Sequence, residues 1–337
     1  MLMVVFGAGA SYDSFPSVPA PSPPPEFQDF ETRPPLASQL FANRDFFRDI
    51  ARQYPKCLPL IADLEPRTRS GSSIEEVLEQ YQAQADRETQ SQLWAIRYYL
   101  RTVIHQCENR WNLHTRGVSN YSSLFNQARR FGHVLFVTFN YDTLLERSLT
   151  AFDIRFPSLG DYITDPKCTL FKLHGSIDWT YWIQKRSTNI RKNELTPDEL
   201  IREAPPIGPT TLVRKAGETP EEAEREIYFQ APALAIPVVS KSEFVCPDFH
   251  LNALRTLLPQ ITHIAAIGWR ASERHFLAML GEYLSKSINI TAICSSGTES
   301  QEILKRIRDA GVSGNFHAVP DTFTDFVRRH GIETFLK

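Results

Sequence analysis

Cysteine is scarce and scattered. The chain has five, Cys57, Cys107, Cys168, Cys246 and Cys294, and no two stand as a Cys-x-x-Cys pair. That spacing argues against a zinc ribbon and against a disulfide framework, and it fits a reducing compartment. The five read as small apolar residues or lone thiols. Long apolar runs are missing too. No window approaches the roughly 18 uninterrupted apolar residues of a membrane helix, so no membrane partner is expected. The opening run Met1–Phe6 has no basic residue before it and is shorter than the roughly 7–15 apolar residues of a secretory signal. A soluble, cytoplasmic protein is the expectation. An excess of charge is also lacking: 37 basic against 39 acidic residues give a net −2. No global field draws nucleic acid or an anionic membrane, and direct nucleic-acid contact is not expected. The nine histidines show no His-x-x-x-His spacing, so no metal is expected.

What is present begins at the first residue. The stretch 2–6 is continuously apolar and reads as a buried strand, and it runs straight into Gly7-Ala8-Gly9-Ala10-Ser11. Residues 15–35 hold eight prolines and cannot be regular structure. A spacer or a lid over a ligand are both open for them. Apolar residues at helical spacing then fill 36–130, with Ser72 or Ser73 as a cap, and imply two long helices and several short ones. From 133 on, apolar runs at 133–139, 169–173, 233–238, 263–269 and 289–295, and a last one at 314–320, alternate with helical segments. The stretch 184–230 is polar and reads as an insertion. Trp179, Tyr181 and Trp182 read as core or a domain seam.

Alternation of buried strands with helices is the signature of a parallel sheet covered on both faces. The fold class is therefore α/β: a Rossmann-like doubly wound parallel sheet with an inserted helical subdomain. The sheet domain takes residues 1–14 and 131–337. The proline-rich loop and helical insertion take 15–130, and a second, polar insertion takes 184–230.

In such a sheet ligands sit outside the carboxyl ends of the strands. Three strand ends carry chemistry there: Gly7–Ser11, Thr138-Phe139-Asn140-Tyr141-Asp142, and Leu173-His174-Gly175-Ser176. Each has a plain alternative. The glycines can serve strand–helix packing, Asn140 can cap a helix, Asp142 in a first helical turn can simply favour the helix dipole, and His174 can be a structural histidine. The glycine loop also departs from Gly-x-Gly-x-x-Gly, since Tyr12 holds the third glycine position.

Taken together, GAGAS (7–11), TFNYD (138–142) and LHGS (173–176) resemble the sirtuin-like superfamily. The nearest likeness is to the sirtuin-like domains of bacterial anti-phage defence systems. IAAIGWRASERHF (264–276), AICSSG (292–297) and VPDTFTDFV (319–327) resemble the family's later segments. The resemblance spans 3–14, 133–180 and 232–328. Two family features are absent: the four-cysteine zinc ribbon, and the Asp-Phe-Arg that follows the glycines, where this chain has Tyr12-Asp13-Ser14. Both absences argue against acyl-lysine removal.

The resemblance implies that NAD lies across the carboxyl edge of the sheet as a substrate. Gly7, Ala8, Gly9, Ala10 and Ser11 would cradle its phosphates, and Gly268 and Ser295 would line the adenosine side. Asn140 would hold a ribose hydroxyl or a water, His174 would act as general base, and Asp142 would orient Asn140 or the carboxamide. The implied reaction is hydrolysis of NAD to ADP-ribose and nicotinamide by an effector of abortive infection. Such an enzyme needs off-state control, which relatives achieve as homo-oligomers or with a regulatory partner such as a DNA translocase or a short Argonaute. Two other readings stay open: a silent NAD or ADP-ribose sensor, and a sirtuin-type ADP-ribosyltransferase or deacylase.

Overall fold

A computed structural model describes residues 1–17, 33–42, 44–69, 74–84, 86–184, 196–208, 211–218, 228–237, 244–284 and 287–336. The first strand, β1 (Leu2–Phe6), is buried along its whole length, as its unbroken apolar sequence requires. It lies at the centre of a six-stranded sheet with β2 (Val134–Thr138), β3 (Cys168–Lys172), β7 (His263–Ile267), β8 (Ile288–Ile293) and β9 (Gly314–Val319). The spatial order is β3-β2-β1-β7-β8-β9, and every pairing within it is parallel. Counted by order of appearance in this sheet, that is 3-2-1-4-5-6, the doubly wound Rossmann arrangement. The fold class is α/β as expected.

The register matters for function. Phe6 pairs with both Thr138 and Ile267, Thr138 with Lys172, and Ile267 with Ile293. The strands therefore end level with one another, and the residues just after them share one edge. The chain leaves β1 toward β2 on one side, and β7 lies on the other, so the switch point falls beside residues 7–11.

The stretch after His174, to which the sequence reading gives no element, is a ten-residue strand, β4 (Gly175–Gln184), at the centre of a second, antiparallel sheet with β5 (Leu212–Lys215) and β6 (Tyr228–Leu234). Of the strand expected at 233–238, residues 233–234 are the end of β6 in this small sheet, 235–237 are not strand, and 238 lies outside the described residues. Part of the polar stretch 184–230 is regular, with helix α9 (Pro197–Glu203) closed by a Thr196–Glu199 capping box. The parts at 185–195 and 219–227 lie outside the described residues. β4 escaped notice because Trp179, Tyr181 and Trp182 are all buried, which erases the in–out alternation of an ordinary antiparallel strand. These aromatics form core and seam, with Tyr181 edge-on to Trp94.

The helical segment has one long helix rather than two: α5 (Arg87–Thr115, 29 residues), started by Asp86 accepting from Thr89 N at 2.9 Å. Before it come α2 (Asp45–Gln53), α3 (Leu58–Arg69) and α4 (Ile74–Gln82), and after it α6 (Asn120–Ala128). The caps expected at Ser72 and Ser73 lie outside the described residues. Helices α7 (Leu144–Leu149), α8 (Asp161–Thr164), α10 (Asp248–Leu257), α11 (Arg274–Tyr283), α12 (Gly297–Asp309), α13 (Phe323–Arg328) and α14 (Gly331–Phe335) complete the chain. Among the described residues no helix is long and apolar enough to cross a membrane.

His250 on α10 packs against Tyr162, Phe171 and Trp179, and its Nε2 donates to Leu159 O at 2.8 Å. Burial pushes its imidazole down to about 4. The folded state therefore holds a neutral ring where the unfolded chain binds a proton. Stability from this site is full above the unfolded value of 6.5 and is lost as pH falls toward 4. The loss expected between pH 7 and pH 4 is about 3 kcal/mol. His250→Gln keeps a donor toward Leu159 without a titrating ring. Urea unfolding of both proteins across this range should show the wild type losing more stability than the variant; parallel curves would refute the assignment.

Candidate active site

The loop after β1 is bonded to the end of β7. Gly7 N donates to Ile267 O and Gly9 N to Gly268 O, both at 3.2 Å, while Ala10 N turns back to Gly7 O at 2.9 Å. The backbones touch. A Cβ on Gly7 would lie 2.5 Å from Gly268 O, and one on Gly9 would lie 2.9 Å from Gly268 Cα. Gly268 has φ +58, and a Cβ there would meet Ala10 N at 2.3 Å. These glycines are needed for contact between two loops, a packing role different from the strand–helix packing raised by the sequence.

The same bonds narrow the expected phosphate cradle. Of the loop amides, the Ala8 N–H has no partner among the described residues. Ala10 is fully buried and does not line the cavity. The loop continues as α1 (Ala8–Tyr12), which places Ser11 in the cavity lining.

Above this junction is a cavity of about 520 Å³, within the usual size range of ligand sites. Gly7, Ala8, Gly9, Ser11, Asn140, Asp142, His174, Gly268 and Ser295 all line it, so the three loaded strand ends converge on one space. Asn140 is buried behind β2. Its Nδ2 donates to Gly7 O and to Ser11 Oγ, each at 2.9 Å, which ties the second strand end to the first. His174 is 2% exposed and packs against Phe139, with ring centroids 4.8 Å apart. Phe139 in turn stacks on Trp269 at 5.6 Å and 12°. The Trp269 indole is held by Glu273 Oε2 at 2.6 Å, and Glu273 lines the cavity. Gly175, with φ +80, has no room for a side chain, since a Cβ would lie 1.9 Å from Ala233 O. That tight step turns the chain from β3 into β4 directly behind the histidine.

Asp142 lines the cavity, and its carboxylate accepts from Leu144 N, at the first residue of α7, at 3.1 Å. The groups that orient Asn140 are Gly7, Ser11 and Tyr121. Beneath the Asn140–Asp142 loop, buried Lys172 donates to the Asp142 carbonyl and pairs with Glu146 Oε1 at 2.8 Å. Glu108, on α5, accepts from Thr143 N and Oγ1 at 2.7 and 2.6 Å and pairs with Arg147. Burial, then the charge of Asp142, pushes the Glu108 carboxyl up to about 7.

The sequence reading missed several contributors. Tyr121 comes from α6, where it looks like one more apolar-face residue. Asp13 accepts from Thr324 N and Oγ1 at 2.7 and 2.9 Å and so fastens α13 beside the glycine loop. Residues 18–32 of the proline-rich run lie outside the described residues. Its return is anchored by buried Arg33, which donates to Tyr12 O and sits over the Tyr12 and Trp111 rings at 5.1 and 4.8 Å. Pro34, Pro35 and Leu36 then line the cavity. At the opposite end, beside Ser295, the Cys294 thiol bonds Glu299 at 2.9 Å. Burial and this bond push it up to about 11, so it stays a neutral thiol. Among the described residues no group of His, Cys, Asp or Glu is arranged to hold a metal ion.

No family model matches the chain, and no curated protein matches it. Two solved structures are similar at low level. One is a crystal structure of a Sir2 homologue in complex with NAD, with 14% identity, 99% of this chain and 90% of that chain covered, and a TM-score of 0.39. The other is a mutant Sir2 homologue in complex with 2′-O-acetyl-ADP-ribose, with 14% identity, 98% and 89% covered, and a TM-score of 0.39. The class of the molecule, a doubly wound α/β protein with a cavity at the switch point, rests on its own strand order and registers.

The loop junction makes a direct stability test. Gly268→Ala forces a side chain into the left-handed region and into the Gly9–Ala10 backbone, so a loss of about 2–4 kcal/mol is expected. Gly117→Ala, at φ +77 but with open space around it, should lose only about 1 kcal/mol. Denaturant midpoints compare the two, and equal losses would contradict the loop contact.

Proposed function

We propose that the protein binds NAD across the β1/β7 switch point and hydrolyses its bond between nicotinamide and ribose. The observation that carries this reading is the meeting of Asn140, His174 and the Gly7–Ser11 loop in one cavity at the carboxyl edge of the sheet. The cavity volume suits a dinucleotide-sized ligand threaded along the edge.

The chemistry follows from the bond. Nicotinamide leaves NAD as a neutral pyridine from a positively charged one, so its departure needs no acid. C1′ passes through an oxocarbenium-like state, and water then forms the new C1′–O bond and releases one proton. Asn140 is fixed by its amide nitrogen on Gly7 and Ser11, which leaves its carbonyl end for a ribose hydroxyl or a water. His174, at the end of β3, takes the proton. Packing against Phe139, itself stacked on Trp269, holds the imidazole in place and keeps bulk water from that wall. Products are ADP-ribose, nicotinamide and a proton. Ala8 N–H and the Ser11 hydroxyl face the phosphates, and Gly268 and Ser295 face the adenosine.

In the cell this reading makes the chain a cytoplasmic toxic effector of anti-phage defence, silent until triggered through self-assembly or a regulatory partner. A resting enzyme of this kind would otherwise drain its host of NAD.

Purified protein mixed with NAD should release nicotinamide, alone or with the products of neighbouring genes. His174→Ala should lower the rate by about 10²–10⁴-fold, the usual range for a lost general base. Asn140→Ala should do so to a similar degree with its fold intact. Saturable NAD binding without product in every condition would replace hydrolysis by sensing. Labelled ADP-ribose on protein would replace water by a protein nucleophile.

A further inference from the structure

The polar group behind the glycine loop includes a residue from the helical insertion. The Tyr121 ring is fixed edge-on to Phe6 at 4.9 Å and to Phe323 at 5.4 Å. Its hydroxyl lies 2.9 Å from Ser11 Oγ. Asn140 Nδ2 reaches Gly7 O and Ser11 Oγ at 2.9 Å and, more weakly, Tyr121 OH at 3.5 Å. Counting protons gives this group a direction. Gly7 O only accepts, so the nitrogen end of Asn140 must face the loop. Ser11 Oγ has two lone pairs and one proton. One lone pair takes Asn140 Nδ2. The second Asn140 proton is shared, with Ser11 Oγ as its near acceptor and the phenol oxygen as its long one, and the phenol gives its own proton to the second lone pair of Ser11. The Ser11 proton then has no buried acceptor left, and Ser11 lines the cavity.

We propose that Tyr121 is a positioning residue: by filling the second acceptor site of Ser11, it makes that hydroxyl an obligate donor into the cavity, aimed at an oxygen of the diphosphate–ribose part of the dinucleotide. The inference rests on the NAD reading above and names a part of the site that the motifs do not contain. Two facts support the direction. Tyr121 is buried, and burial together with Asp142 holds its phenol well above the ordinary range, so it keeps its proton to give. The reverse polarity would leave the phenol proton without an acceptor among the described residues, inside the protein, where an unmade donor is penalised.

ADP-ribose is the probe, because it carries the diphosphate and ribose and is not consumed. Its dissociation constant is measured by calorimetry for wild type, Tyr121→Phe, Ser11→Ala and the double variant, with thermal unfolding alongside. Tyr121→Phe removes one oxygen and no volume, so a folded protein is expected. Its affinity should fall about threefold to tenfold, the worth of one hydrogen bond. Ser11→Ala should fall at least as far, and the double variant should be no weaker than Ser11→Ala, because the phenol acts through the serine. Unchanged affinity in Tyr121→Phe, losses that add in the double variant, or a Tyr121→Phe chain that does not fold would each overturn the proposal in favour of a packing role. Nicotinamide release is measured separately. Wild type that turns over NAD while the variants behave additively overturns this inference alone. Wild type that neither binds ADP-ribose nor consumes NAD overturns it together with the reading it rests on.

Discussion

The contact on which the rest of the structure depends is backbone against backbone. The loop leaving β1 and the loop leaving β7 touch through Gly7, Gly9 and Gly268, with no side chain between them. Adjacent parallel strands stand roughly 4.8 Å apart, so loops that leave them in step must either diverge or be glycine. Here they stay together for three residues and are hydrogen bonded. The consequence is a narrow floor at the switch point, with Ser11 on one side and the Trp269–Glu273 segment on the other. Everything else in the cavity wall is hung from that floor.

Three further tethers turn the floor into a site. Asn140 bonds across from β2 to Gly7 and Ser11. Asp13 bonds to Thr324 and brings in the last helices. Arg33, stacked on Tyr12 and Trp111, returns the proline-rich run to the cavity wall. Each is buried and joins segments far apart in the chain, so the site is a product of the whole fold. Buried ion pairs such as Lys172–Glu146 are poor evidence of net stability, yet they fix geometry, and this one holds the loop that carries Asn140.

The parallel sheet was legible because its strands are covered on both faces and read as unbroken apolar runs from β1 to β8. The convergence of residues 7–11, Asn140 and His174 on one cavity was legible because they fall where those runs stop. β4 was not legible, since its buried tryptophans and tyrosine carry no period of two. Tyr121 was not legible either: a tyrosine on an amphipathic helix looks like core, and its hydroxyl acquires meaning only when Ser11, 110 residues earlier, is placed beside it. The glycine loop holds the more general lesson. Its residues are where a nucleotide fold would put them, yet the Gly7 and Gly9 amides serve the neighbouring strand end and loop.

The central claim is that three distant turns grip one dinucleotide. The most direct measurement is a crystal structure with ADP-ribose bound. The account predicts the diphosphate over the ends of β1 and β7, the adenosine toward Ser295, and the free ribose carbon between Asn140 and His174. ADP-ribose bound anywhere else, or a bound ribose turned away from His174, would contradict it.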